Sequence, residues 1–391
     1  MLSAISIFLI LLGEICFYTS DTIAIYTLLA GTGIILQALF FIRNKVTNYV
    51  IKIDNFVFWT LLVYMMYFVY GTFLLQKGGF QWYTFLYRCL EVISLYQAIS
   101  VVLKEHFDQF IKILIYVGLI SLCYLVWQEG TNIIKGDMRI GDSLSGNVNT
   151  VGYNFGIISN LIMNSYCQNK SKYKLLIFML FSLMMILTGS KKIMIIFLIN
   201  IAMYFWYERH KIKGWIKLFF VSVFGLYLIF FVPYFYNILG FRIETMMESL
   251  FFNNVHASHS TEVRALMMNE AFGFFLENPL FGGGWNYFYA HTVYGYEYSH
   301  CNYTEMLSSF GIFGTALYYS RHIKNIIYSW KFKNKIFNNN NFVILILVLT
   351  LEALLLDFAV VSFSAQCVWY LPMIICSAIL KIQSDTRNKG E

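Results

Sequence analysis

Stretches of about twenty apolar residues recur along almost the whole chain, and no other feature restricts its fold so strongly. A segment of that length and character spans the hydrocarbon core of a bilayer as an α-helix. The stretches fall at 2–18, 22–42, 53–75, 82–103, 110–128, 148–166, 173–189, 191–207, 215–233, 302–320, 341–359 and 361–380. The first, the eighth and the last two have soft borders, so eleven to thirteen helices fit, and twelve fit best. Only 13% of the residues are charged, roughly half the share in an average soluble domain. With 38 phenylalanines and three prolines, a water-soluble fold would have to expose much of its apolar surface, whereas lipid accepts it. The expected fold is an all-α polytopic membrane protein of about 12 transmembrane helices.

The basic residues set the orientation, because Lys and Arg gather on the cytoplasmic side. With a cytoplasmic N-terminus, the inward connections and the C-terminal tail carry 20 of the 28 Lys and Arg residues. Only Lys77, Lys135, Arg139, Lys191, Lys192, Arg242 and Arg264 fall outside, and Arg88 lies within a helix. A wrong helix count would scramble this alternation. Both termini are therefore expected in the cytoplasm. The segment Met1–Phe17 has no basic leader and no small-residue cleavage site, so it reads as a first membrane helix.

Two outward connections are long, 129–147 and about 233–303. The second carries six acidic residues, two arginines and four of the seven histidines. A connection of that length without structure is uncommon unless it is functional. Helical spacing over Thr261–Leu276, with Val263, Leu266, Met267, Glu270 and Phe274 on one face, predicts one or two short interfacial helices. The chain thus divides into a bundle of helices 1–9 (1–233), an extracytoplasmic loop (234–301), and helices 10–12 with a tail (302–391).

The residues able to carry chemistry cluster on this outer side. The loop ends in Asn278-Pro279-Leu280-Phe281-Gly282-Gly283-Gly284-Trp285-Asn286, followed by His300-Cys301-Asn302 and then Gly311-Ile312-Phe313-Gly314. Upstream stand Arg264, Thr188-Gly189-Ser190-Lys191-Lys192, and Asn147-Val148-Asn149. His300, at the outer mouth of a helix, has a pKa suited to proton transfer, although a lone interfacial histidine often serves only as a hydrogen-bonding group. Lys191 and Lys192 could stabilise a leaving diphosphate, helped by the N–H groups of a helix start, or could simply mark the membrane border. Arg264 could bind phosphate or pair with a nearby glutamate, and Arg139 is a similar candidate. Asn147 and Asn149 could bind sugar hydroxyls or cap the sixth helix.

Arg88 and Glu91 share one helix face, either as a structural pair or as a functional one. Glu14, Glu352 and Asp357 read as structural. The seven cysteines are scattered with no CxxC spacing, which argues against a disulfide framework. His256 and His259 lack a third ligand, so no metal site is expected. The Gly282–Gly284 run is no phosphate loop, because no strand precedes it and no Gly-Lys-Ser/Thr follows it. A tight turn beside the substrate path is the better reading.

Taken together, these pieces resemble the O-antigen polymerase and ligase family of bacterial envelope biogenesis over residues 139–320. Members of that family show a loop arginine, N-P-L-x-G-x-G, H-x-N with an acidic or polar helix start, and two glycines flanking apolar residues, in this order. The family's usual Arg after the Ser is Lys191 here, which lacks the planar fork for bidentate phosphate contact. The resemblance implies a cofactor-free, metal-independent, inverting membrane glycosyltransferase of GT-C-like type at the outer face of the bacterial cytoplasmic (inner) membrane. It implies undecaprenyl-diphosphate-linked oligosaccharides as donor and acceptor, with His300 as catalytic base. Arg264, Lys191, Lys192, Arg139, Asn302, Asn147 and Asn149 would bind the diphosphate and substrate. A repeat-unit polymerase for O-antigen or capsule is the leading expectation, with membrane lipid as surroundings and a flippase and chain-length regulator as possible partners. Nothing suggests a nucleic-acid partner. A ligase of the same family is the nearest alternative. A lipid-linked oligosaccharide flippase is a third, against which stand the missing internal repeats and the prominent outer loop.

Overall fold

The computed structural model describes residues 1–45, 54–135, 140–145, 148–208, 212–251, 259–332, 341–364 and 366–387. The fold is all-helical, and among the described residues the only bridge of β type joins Leu75 and Trp285. The main helices are α1 (Leu2–Cys16), α2 (Ile23–Lys45), α3 (Asn55–Phe73), α4 (Trp82–Glu105), α5 (Phe107–Lys135), α6 (Val148–Asn169), α7 (Lys172–Leu187), α8 (Lys191–Glu208) and α9 (Ile212–Phe231). The long connection after α9 holds α10 (Phe241–Phe251), α11 (His259–Glu277) and α12 (Tyr287–His291). The chain closes with α13 (Asn302–Lys331), α14 (Asn341–Asp357) and α15 (Leu371–Arg387).

Each apolar stretch read from the sequence overlaps one of these helices. Among the described residues, five helical segments are long and apolar enough to cross a membrane, and six if the bent pair Val223–Phe231 and Pro233–Thr245 counts as one span. The others fall short for visible reasons. Helices α1, α7 and α14 run 15, 16 and 17 residues, less than the ~20 a bilayer core requires. Helices α6 and α13 turn polar residues inward, among them Asn154, Asn160, Asn164, Ser308, His322 and Asn325, all buried.

Most buried apolar residues form one contiguous core that draws on nearly every helix of the bundle. A small satellite cluster of Met267, Ala271 and Phe288, with Val263 and Phe274 against it, joins α11 to α12. The amphipathic face expected over Thr261–Leu276 is therefore largely present, except that Leu266 points out. Helices α6 and α8 approach closely at two glycines four apart. A Cβ on Gly152 would lie 2.7 Å from Ile193, and one on Gly156 would lie 2.9 Å from Ile196. Small residues at this spacing let helices pack at short range, and here they bring the N-terminal ends of α6 and α8 side by side.

The broken helix α13 explains the glycine motifs. Gly311 interrupts it at φ 61 and ψ −165, a conformation open only to glycine. The break frees backbone groups, and the Asn278–Gly284 turn satisfies them. Gly283 N–H donates to Ser308 O at 2.8 Å and Gly284 N–H to Ser309 O at 3.0 Å. In return, Ile312 N–H donates to Pro279 O at 2.9 Å and Phe313 N–H to Leu280 O at 3.2 Å. The two glycine motifs are thus two halves of one backbone joint. The α3–α4 connection docks on the same turn, with the Gln76 side chain donating to Gly283 O at 2.7 Å and Gln76 N–H to Trp285 O at 3.1 Å. Trp285 anchors the joint among Tyr67, Phe80, Phe85, Phe310 and Phe363.

Candidate functional site

A cavity of about 460 Å³ opens where this joint meets the N-terminal parts of α6, α8 and α11, a size typical of ligand pockets. Asn149, Lys192, Arg264 and His300 all line it. Arg139 and Asn147 lie outside the described residues. Lys191 does not line the cavity, but it feels the positive charges of Arg242 and Arg264 and so belongs to the same cationic cluster.

The α6–α8 contact fixes the first of these residues. Ser190 Oγ donates to Asn149 Oδ1 at 2.8 Å, which ties the start of α6 to the turn before α8. In that turn Gly189 has φ 56, and its carbonyl accepts from Arg242 at 3.4 Å. Lys192 Nζ donates to Ala359 O, in the connection between α14 and α15. Arg264 is exposed on α11 and makes no ion pair or hydrogen bond among the described residues. The glutamate pairing left open by the sequence is not formed.

His300 stands at φ 59 and Asn286 at φ 61, two of the three non-glycine residues with positive φ among the described residues. Both line the cavity. Residues held in this uncommon region mark places where surrounding structure overrides local preference, often at functional sites. For His300 that structure is Glu305, whose buried carboxylate accepts from Ser299 N–H at 2.7 Å. For Asn286 it is the α3–α4 connection, where the Asn286 amide donates to Lys77 O at 2.8 Å. The His300 ring packs edge-on against Tyr298 at 4.5 Å. Burial, with the nearby charges of Arg264 and Lys192, pushes its pKa down from 6.5 to about 4. The imidazole is therefore neutral at pH 7 and able to accept a proton.

Asn302 takes a different place from its neighbour. It is fully buried, and both ends of its amide are used within the protein. Its nitrogen donates to Tyr319 Oη at 2.8 Å and Asp357 Oδ2 at 3.1 Å. Its oxygen accepts from Ser362 N–H at 2.9 Å and Phe363 N–H at 3.0 Å. Asn302 thus lies behind the cavity wall and holds it, and it does not reach the cavity itself.

That wall was not anticipated. The sequence placed spans at 341–359 and 361–380, with almost no connection between them. In the structure the chain leaves helix after Asp357 and re-enters it only at Cys367. Ala359, Val360, Val361, Phe363 and Ser364 line the cavity. Arg88 donates to Ser364 O at 2.5 Å, so the charge in α4 supports the far end of the same wall. Trp369, stacked on Tyr153 at 4.1 Å, completes it. Asn286, the last residue of the glycine motif, also lines the cavity, as do Tyr289, Glu297, Tyr298 and Glu305, which no motif marked as candidate site residues. Among the described residues no group of three or more His, Cys, Asp or Glu side chains is placed to hold a metal ion.

Residues 176–319, somewhat over a third of the chain, match the family model described as O-antigen ligase. This stretch is similar to the O-antigen ligase family. The match runs from within α7 to within α13 and takes in Lys191, Lys192, Arg264, His300 and Asn302. Among curated proteins nothing matches the chain. The matched stretch supplies His300 and most of the cationic side of the cavity, while Asn149, the 359–364 wall and Trp369 come from flanking parts of the chain.

Proposed function

We propose that this protein is a membrane polysaccharide polymerase, which transfers a growing glycan from a polyprenyl diphosphate to a lipid-linked repeat unit. The family supports a ligase- or polymerase-type glycosyltransferase acting on lipid-linked oligosaccharide, and no residue of the site separates polymerase from ligase. The observation that carries the reading is the meeting of His300, Arg264 and Lys192 at one cavity. A neutral imidazole beside two cations suits a reaction that removes a proton from one partner and leaves negative charge on the other.

In this reading the acceptor sugar hydroxyl gives its proton to His300 while its oxygen bonds to C1 of the donor glycan. The C1–O bond to the diphosphate breaks, the electron pair leaves with the polyprenyl diphosphate, and C1 is inverted. Lys192 and Arg264, with Lys191 and Arg242 behind them, offset the charge that grows on the leaving group. A bound diphosphate also offsets the two charges that depress His300, so the base strengthens once the donor is in place. The same reading places the site on the outer face of the bacterial cytoplasmic membrane, with both termini inside and the apolar helices forming about twelve spans. The donor would be undecaprenyl-diphosphate-linked, and a flippase and a chain-length regulator would act beside it. The test is His300→Ala in a producing strain. Protein at normal level with surface glycan reduced to single repeat units supports the proposal, and long chains at normal level refute it.

A further inference from the structure

The cavity is divided by charge. Its cations come from α8 and α11, as Lys192 and Arg264, whereas the 286–298 segment contributes Asn286, Tyr289, Glu297 and Tyr298. A diphosphate is drawn to the first set and repelled by Glu297 in the second. The second set has the composition of a surface for sugars, with flat rings for the apolar face of a pyranose and amide and carboxylate groups for its hydroxyls. The aromatic character also continues beyond the cavity. Tyr294, Tyr296 and Tyr298 alternate along the segment and are 40%, 42% and 39% exposed. Tyrosines half-open to solvent on an acidic outer loop are unneeded for a core and are well suited to contact with a ligand. Tyr298 ends the series against the His300 ring, so a sugar stacked on Tyr298 lies beside the base.

We propose that residues 294–298 form an oligosaccharide track, in which Tyr298 and Glu297 hold the acceptor sugar at His300 and Tyr296 and Tyr294 hold the sugars that follow it. The inference rests on the transferase reading above and adds the acceptor side of it. The negative charge of Glu297 favours neutral or amine-bearing sugars at this point and disfavours acidic ones. The wall on which the track begins is rigid, since Asn286 is tied to Lys77, and Thr292 and Val293 are tied to Glu270 at 2.6 and 2.9 Å. A prearranged track spends little binding energy on ordering itself.

The experiment uses the full-length protein in detergent, with Tyr298→Ala, Tyr296→Ala and the ring-preserving Tyr298→Phe. Three quantities are read: the KM for the lipid-linked repeat unit extracted from a producing strain, inhibition of elongation by farnesyl diphosphate, and binding of the delipidated oligosaccharide by saturation-transfer NMR. Tyr298→Ala is expected to raise KM roughly tenfold or more, equivalent to the loss of one aromatic contact, with Tyr296→Ala weaker and Tyr298→Phe close to wild type. Inhibition by farnesyl diphosphate should stay within about twofold of wild type in all three, since that probe reports only the cationic side. An unchanged KM in Tyr298→Ala overturns the track, as does a parallel rise in KM and in the farnesyl diphosphate inhibition constant. A wild-type protein that binds the oligosaccharide through Tyr298 yet never elongates it would leave the track standing and remove the polymerase.

Discussion

Replacing Asn302 by alanine separates two roles that lie next to each other in the sequence. The side chain makes four hydrogen bonds, at 2.8, 3.1, 2.9 and 3.0 Å. Tyr319 and Asp357 keep each other as partners at 2.7 Å after the change, and Asp357 also keeps Ser362 Oγ at 2.6 Å. Their loss is therefore modest. The Ser362 and Phe363 N–H groups lose the acceptor that holds them, and a buried donor left unpaired costs about 1–3 kcal/mol. Two such donors, with a smaller cost for the other pair, give a destabilisation of about 4 kcal/mol, less whatever water from the cavity recovers. Thermal unfolding in detergent should show a melting point several degrees below wild type, together with slow elongation as the 359–364 wall shifts. If Asn302→Ala melts with wild-type protein, the buried network does not hold the wall. If it melts with wild-type protein and yet fails to bind substrate, Asn302 contacts the ligand directly.

The remaining predictions concern the base and the backbone joint. His300 is depressed in the fold relative to the unfolded chain, so it binds fewer protons when folded at mildly acid pH. Any stability it influences is full above about 6.5 and is lost as pH falls through about 4. Without ligand, Arg264→Gln removes one cause of the depression and should move the imidazole titration, followed by NMR of labelled histidine, upward from about 4 toward 6.5. An unmoved titration would mean that Arg264 does not act on His300. Gly311→Ala would place a Cβ 2.4 Å from Leu280 O in a conformation closed to L-residues, and should break the four-bond joint. About 1 kcal/mol per bond, with strain added, predicts a loss of ~4 kcal/mol or more and poorly folded protein. A stable, active Gly311→Ala protein would show that the joint is dispensable.

Much of the helical layout was legible in the sequence because apolar length is a local property. A helix in lipid satisfies its own backbone and needs only apolar side chains, so the stretches could be read one by one. How many of them cross the bilayer was less legible. Helices such as α6 look interrupted by Asn154, Asn160 and Asn164, which are polar residues turned to the interior. Their direction depends on which helix packs against which face, and no single stretch contains that information.

The candidate site divides in the same way. Residue chemistry, together with the charge bias of the connections, singled out His300, Arg264 and Lys192, because that bias reads the two cations as exceptions among the basic residues. Their meeting at one cavity was decided by packing: Gly152 and Gly156 let α8 close on α6, and the broken α13 docks the glycine turn that leads to His300. The 359–364 wall, the inward turn of Asn302 and the support from Arg88 rest on hydrogen bonds between segments up to 276 residues apart. Composition and spacing determine which reactive groups the chain carries. Only the tertiary contacts determine which of them face the cavity, because backbone pairing and close helix approach leave no mark on the local pattern of side chains.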